Sequence, residues 1–291
     1  MTPAPVVRSK RELRAEIAEA TAGGRSVGLV PTMGYLHDGH LSLLRAARER
    51  CGFVVMSLFV NPTQFGEDED LAEYPRAEER DLALAGEAGV DLVFAPDVEE
   101  VYPEGFATYV AVEGLTEVLD GDPARRGAEH FRGVTTVVAK LLNIVGPDSL
   151  YLGQKDAQQA LVIRRMARDL DFPAEVVVVP TVREPDGLAM SSRNAYLDAR
   201  ERTRATGLWR ALETVRDAAG GGASVDRALD AGRAILADAG VEAEYLEARH
   251  ADDLTPAESF NGRPVLVAVA ARVGGARLID NVVVGPTDRS E

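Results

Sequence analysis

The apolar positions of this chain change period several times, and each change marks a predicted element. Ser9-Lys10-Arg11-Glu12 has the form of a capping box, a hydroxyl followed three residues later by a carboxylate. Leu13, Ile17 and Ala20 then recur at helical spacing until Gly23-Gly24 stops the run. Residues 27–30 are short and apolar and predict a buried strand. Residues 41–50 predict a helix ending near Gly52, and residues 53–60 a second apolar strand broken by Asn61-Pro62. The same alternation gives a helix over 78–88, a strand over 90–94 and a helix over 134–144. It continues with a strand over 149–152, a helix over 156–170 and a β-branched strand over 175–179. Strands alternating with helices predict an α/β fold, a Rossmann-like doubly wound parallel sheet. In such a sheet ligands bind at the carboxyl ends of the strands, where the strand order reverses.

After Pro180 the pattern changes. Helices over 198–218 and 224–239 flank Gly220-Gly221-Gly222, and strand-like stretches follow over 241–249, 263–273 and 277–284. Gly274-Gly275 suits a tight turn between the last two. Helices followed by adjacent strands predict a smaller C-terminal α+β domain with an antiparallel sheet. The expected division is therefore residues 1–181 and 182–291, with the boundary near Thr181.

Composition narrows the function mainly by exclusion. Of 291 residues, 46% are hydrophobic and 27% charged, a globular balance that leaves little for extended disorder. The net charge of -15 disfavours phosphate backbones and anionic lipid, so neither nucleic acid nor membrane is the expected partner. No apolar signal core opens the chain, no segment is long enough to span a bilayer, and Cys51 is the single cysteine. The expected location is cytoplasmic.

Four segments carry candidate chemistry. Pro31-Thr32-Met33-Gly34-Tyr35-Leu36-His37-Asp38-Gly39-His40 leaves the first predicted strand and enters a helix, whose unpaired N–H groups and positive dipole end suit phosphate. Two imidazoles three residues apart can donate hydrogen bonds to charge growing on a leaving pyrophosphate. Helix capping or a simple packed pair is the plainer alternative, and a metal would need a third ligand and a spacing that the segment lacks. Gly153-Gln154-Lys155-Asp156 also follows a short strand; Lys155 and Gln159 at four-residue spacing would share a helix face, and Asp156 could reach a ribose hydroxyl. Lysine is scarce, with only Lys10, Lys140 and Lys155, and a compact ammonium at a strand end fits a phosphate contact. Ala189-Met190-Ser191-Ser192-Arg193-Asn194 offers hydroxyls, a guanidinium and successive backbone N–H groups that can wrap outer phosphates. In Phe59-Val60-Asn61-Pro62-Thr63-Gln64-Phe65-Gly66, Gln64 supplies a donor and an acceptor, and Asn61 is a turn former before proline.

Together with Tyr74-Pro75-Arg76 and His130-Phe131-Arg132-Gly133-Val134, these segments resemble the pantothenate synthetase (pantoate–β-alanine ligase) family in order and spacing. The histidine loop also resembles a signature of class I aminoacyl-tRNA synthetases and related nucleotidyltransferases. The resemblance implies ATP-dependent condensation of pantoate with β-alanine through a pantoyl-adenylate, releasing AMP and pyrophosphate. It implies ATP contacts from Met33, Gly34, Tyr35, Leu36, His37, Asp38, Gly39 and His40, with His37 usually given the catalytic role and His40 beside it. Gly153, Gln154, Lys155 and Asp156 would cradle the nucleotide, Lys155 acting on phosphate, with Val182 against the adenine and Met190, Ser191, Ser192 and Arg193 closing over the phosphates. Gln64 would contact pantoate and β-alanine, and Gln159 pantoate; Asn61 and His130 are further candidate substrate contacts. Mg²⁺ would come with ATP rather than on protein side chains, and the family implies a homodimer. One departure stands out. The family's Arg-Pro-Gly before His-Phe is here Arg125-Arg126-Gly127-Ala128-Glu129-His130, so glycine stands where arginine is expected and Glu129 adds negative charge. Either Arg125 or Arg126 reaches the site from a longer loop, leaving the other a solvated charge, or the contact is missing. Two rivals keep the histidine loop: a transferase moving AMP onto a phosphorylated acceptor, and a non-catalytic nucleotide sensor.

Overall fold

The structure, a computed structural model, describes residues 3–66 and 71–285. The chain divides into two compact units: one runs to Gln154 and resumes over Gln158–Pro180, and the other comprises Lys155–Ala157 and the chain from Thr181 onward.

The first unit is built on β1 (Val6–Val7), β2 (Val27–Thr32), β3 (Phe53–Leu58), β4 (Leu92–Phe94), β5 (Ser149–Gly153) and β6 (Glu175–Val179). All pair in parallel, in the order β1-β4-β3-β2-β5-β6. The chain builds outward on one side of β2 and then crosses to the other, so the order reverses between β2 and β5. The helices are α1 (Lys10–Ala22), α2 (Asp38–Arg50), α3 (Glu78–Glu87), α4 (Val98–Val101), α5 (Ala128–Val145) and α6 (Ala157–Asp169). Alternation along the strands divides the core. Leu29, Val55 and Leu150 face a layer with Leu13, Ile17 and Val138, while Val30, Met56 and Tyr151 face Leu41, Leu44 and Ala47. The Ser9–Glu12 capping box forms: Glu12 N donates to Ser9 Oγ and Ser9 N to Glu12 Oε2, each at 3.2 Å.

Several boundaries differ from the sequence reading. The strand expected over 53–60 stops at Leu58, and α4 and the two-residue β1 are too short to show a period. Helix α5 starts at Ala128 rather than near 134: Ala128 and Glu129 are exposed, His130 and Arg132 half-buried, and the continuous buried stretch that periodicity reports begins only at Gly133. Gln154–Asp156 forms a 3₁₀ turn, and α6 begins at Ala157. Lys155 therefore lies in the 3₁₀ turn and Gln159 in α6, not both in one α-helix as the spacing suggested.

The second unit packs α7 (Ala199–Gly220) and α8 (Val225–Asp238) with an antiparallel sheet of β7 (Ala243–His250), β8 (Val265–Val273) and β9 (Ala276–Val284), in that order. Gly274-Gly275 makes the β8–β9 turn, with Val273 opposite Ala276. No helix among the described residues is long and apolar enough to cross a membrane.

Gly133 of α5 shows why the fold needs glycine in its motif: a Cβ there would overlap the carbonyl oxygen of Thr63. Helix backbone thus lies directly on the 62–64 turn that carries Gln64. Gly133→Ala is expected to destabilise the protein by about 1–3 kcal/mol, as overpacking does. Urea unfolding measures it, and an unchanged midpoint would contradict the close approach.

Candidate active site

β2 ends at Thr32, and residues 33–36 carry the chain to α2. Gly34 (φ +87°) and Tyr35 (φ +53°) are both left-handed, a conformation that a bulky side chain rarely adopts. The turn is held from outside by Asp81 of α3, 1% exposed, whose Oδ2 accepts from Tyr35 N at 2.7 Å and Oδ1 from Leu36 N at 2.8 Å. Burial pushes the Asp81 carboxyl upward, opposed by those two N–H groups and by Arg80 at 3.9 Å.

His37 is the N-cap of α2, and its Nδ1 accepts from Gly39 N at 3.2 Å. His37 N in turn donates to Nδ1 of His40 at 3.4 Å, and the two rings lie 4.1 Å apart between centroids. Capping and ligand binding were alternatives for this pair at the level of sequence; the geometry makes them compatible. A neutral imidazole whose Nδ1 accepts carries its proton on Nε2, so the cap turns both rings into Nε2–H donors at a helix start. Asp38 and Gly39 occupy the first turn between them.

Past β3, Asn61 is 1% exposed, and its amide is fully engaged. Its Nδ2 donates to Gln64 Oε1 at 3.0 Å and Gly133 O at 3.2 Å, and its Oδ1 accepts from Tyr102 and Thr63 hydroxyls at 2.8 and 3.0 Å. Gln64 Nε2 lies 3.3 Å from Met33 Sδ, so the β3 loop meets the histidine loop. His130, inside the first turn of α5, donates from Nδ1 to Gln64 O at 2.8 Å. Gly153 closes β5, next to β2 in the sheet, and Gln154 follows it. Gln159 stands half-buried on α6, with no hydrogen bond to Gln64 among the described residues; its neighbour Gln158 is the structural one, bonded to Leu115 O and Val118 O at 2.8 and 2.7 Å.

In the second unit, Lys155 Nζ lies 3.7 Å from Asp156 Oδ1, and Lys155 O accepts from Asn281 Nδ2 at 2.9 Å. Met190 N donates to Val182 O at 3.0 Å, and Arg183 and Ala189 form an antiparallel bridge. Arg183 makes a two-point ion pair with buried Asp280 at 2.6 and 2.9 Å and stacks 3.5 Å from the Trp209 ring centroid. The segment beyond is capped by Ser191, whose Oγ accepts from Arg193 N at 3.3 Å; Ser192 is buried, and Asn194 is tied back to Glu184 at 2.9 Å. Among the described residues no group of three or more His, Cys, Asp or Glu converges to hold a metal.

A sequence model of the pantoate-beta-alanine ligase family matches residues 5–283. The chain belongs to the pantoate-beta-alanine ligase family. The pantothenate synthetase of Moorella thermoacetica is 58% identical over 280 residues, 95% of this chain and 97% of its own. A solved pantothenate synthetase of Thermus thermophilus aligns with a TM-score of 0.90 and 53% identity, over 97% of this chain and 100% of that one. The ligase of Francisella tularensis, solved in complex with beta-gamma ATP and beta-alanine, aligns at 0.79 and 29% identity over 98% of this chain and 100% of its own.

Against the ligase pattern, the altered loop before His130 has a definite geometry. Arg126 Nη1 lies 3.0 Å from His130 Nε2; since His130 Nδ1 donates to Gln64, Nε2 is the acceptor for Arg126. Arg125 is not the solvated charge expected of one of the pair. Its side chain is 17% exposed and donates to Leu119 O at 2.9 Å. The charge of Glu129 is met by Arg132 at 2.9 Å. Sequence reasoning missed Asp81 and Tyr102. For Asp81 a signal existed: Asp81, Ala85 and Ala88 lie at i, i+4 and i+7 on one buried stripe.

The two arginines are expected to fail differently on truncation. Arg125→Ala should lower stability by about 1 kcal/mol, the worth of one hydrogen bond. Arg126→Ala loses its hydrogen bond to His130 and so should cost a similar ~1 kcal/mol of stability, but it alone should also cut kcat/KM at least about tenfold. Steady-state kinetics beside denaturant curves separate them, and identical kinetics would contradict the assignment.

Proposed function

We propose that this chain is an AMP-forming ligase that joins pantoate to β-alanine in two steps. The pantoate carboxylate attacks the α-phosphorus of ATP; a carboxyl–phosphorus bond forms, and pyrophosphate leaves. The neutral β-alanine amine then attacks the activated carbonyl, its nitrogen gives up one proton to solvent as the amide forms, and AMP leaves with the electrons of the acyl–oxygen bond. Support for the ATP-dependent condensation comes from family membership along nearly the whole chain and from the Francisella tularensis relative that was solved with nucleotide and β-alanine.

The observation that carries the two-step reading is the Nδ1-capped histidine pair, which gives two Nε2–H donors at a helix start beside the β2–β5 reversal. Donors fixed before reaction stabilise developing charge without reorganising. In this reading Met33 to His40, Gly153 to Asp156, Val182 and Met190 to Arg193 serve ATP, with Lys155 and Arg193 acting on phosphate. Gln64, held by Asn61 and His130, serves both pantoate and β-alanine, and Gln159 serves pantoate. Mg²⁺ in this reading enters on the nucleotide phosphates, where it neutralises charge. The adenylate hydrolyses in water, so closure of the Met190 to Asn194 segment would protect it. The reading also places the enzyme in the cytoplasm as a homodimer, in keeping with its lone buried cysteine and the prevalence of two-fold assemblies.

Labelled pyrophosphate should exchange into ATP when pantoate is present and β-alanine absent. Exchange without pantoate, or none until β-alanine is added, would overturn the two-step reading. His37→Ala should slow this exchange by about two to three orders of magnitude, as loss of a transition-state donor does, while the protein still melts cooperatively, about 1 kcal/mol less stable for the lost cap. Near-normal exchange would remove His37 from its role.

A further inference from the structure

Among the described residues, two N–H groups of the left-handed turn before the histidine pair have no backbone acceptor. Tyr35 and Leu36 both donate instead to one carboxylate on a different helix, 46 and 45 residues away. Asp81 is 1% exposed and sits at the buried stripe of α3 with Ala85, a position where an aliphatic side chain would be ordinary. Successive N–H groups converging from a left-handed turn form an anion nest, and here the protein fills it with its own carboxylate. The space is closed on the other side as well. A Cβ on Gly34 would come within 2.7 Å of Leu58 Cδ1 and 3.0 Å of Asp81 Oδ2, so the loop backbone is wedged between β3 and Asp81. Arg80 lies 5.6 Å from the Tyr35 ring centroid and 3.9 Å from Asp81 Oδ1, placing a cation against both partners.

We propose that Asp81 is a positioning residue for the reaction: it locks the 34–36 turn and so sets the N-cap angle of His37, and through it the ring pair His37–His40. The link is continuous, because Leu36 N is bound by Asp81 and the next residue, His37, holds both cap bonds. The inference deepens the reading that the histidine loop acts on ATP and rests on it for its effect on rate, though not for the geometry. An isosteric amide is the sharpest perturbation. Asn at this site presents one oxygen and one NH₂ group, so one of the two converging N–H groups would face another donor.

The test follows amide exchange at Tyr35 and Leu36 and the ring nitrogens of ¹⁵N-histidine protein, at a pH where the imidazoles are neutral. In the native chain both amides should be protected like those of α2, with His37 and His40 protonated on Nε2. In Asp81→Asn, exchange at the two amides should accelerate about tenfold or more, and the His37 and His40 signals should lose their single-tautomer pattern. His130, whose Nδ1 is the donor to Gln64 O, should not change. The kcat for adenylate formation should fall about tenfold or more, while KM for β-alanine with supplied pantoyl-adenylate stays within about twofold. Unprotected amides in the native chain, or an Asp81→Asn protein with unchanged exchange and ring signals, would overturn the proposal. Moved ring signals with an unchanged rate would uphold the clamp and remove the histidines from the chemistry. If Asp81→Asn does not fold, Asp81→Glu keeps the charge, shifts the oxygens by one methylene and is read the same way; the native amide measurement stands in either case.

Discussion

Two anions must meet before the proposed ligation can begin, a carboxylate and a triphosphate, inside a chain whose net charge is -15. Bulk charge works against that encounter, so the attraction has to be local and aimed. The fold supplies it at the reversal between β2 and β5, where one strand runs into a helix start and its neighbour into a 3₁₀ turn. In the proposed reading, helix N–H groups and the histidine Nε2–H donors bring partial positive charge there without making the surface basic, and Lys155, one of three lysines in the chain, is assigned to the phosphates.

Aim depends on a hierarchy of supports. The parallel sheet fixes where β2 ends, and the left-handed Gly34–Tyr35 turn redirects the chain over that edge. Asp81 satisfies the N–H groups that such a turn leaves unpaired. Only then does His37 cap α2 with the nitrogen that leaves Nε2 as donor. A second set of supports converges on Gln64. Asn61 holds its side chain, His130 its carbonyl, and Arg126 orients His130. Residues that a motif search groups as contacts thus divide into those with donors to offer and those that aim them.

Much of this was legible before any coordinates. Strand–helix alternation gave the parallel sheet, and the hydroxyl and carboxylate at Ser9 and Glu12 gave a real cap. The histidine loop was readable because glycine, histidine and an adjacent apolar strand say the same thing locally. What escaped notice was long-range or lacked a period. β1 is two residues at the sheet edge, paired with β4, and the first residues of α5, Ala128 to His130, are not buried. Asp81 hid among Glu78, Glu79 and Arg80, where a charged run reads as a solvated face. The division of labour between Arg125 and Arg126 turns on a fold-back to Leu119 O that no spacing rule encodes.

The central claim is that the pantoate carboxylate itself attacks the α-phosphorus of ATP on this scaffold. Pantoate labelled with ¹⁸O in its carboxylate tests it most directly, by mass analysis of the products of complete turnover with ATP and β-alanine. The account predicts one ¹⁸O transferred to AMP for each pantothenate formed, because the carboxyl oxygen that bonds to phosphorus departs with it. Label recovered in inorganic phosphate, or retained wholly in the amide product, would contradict it.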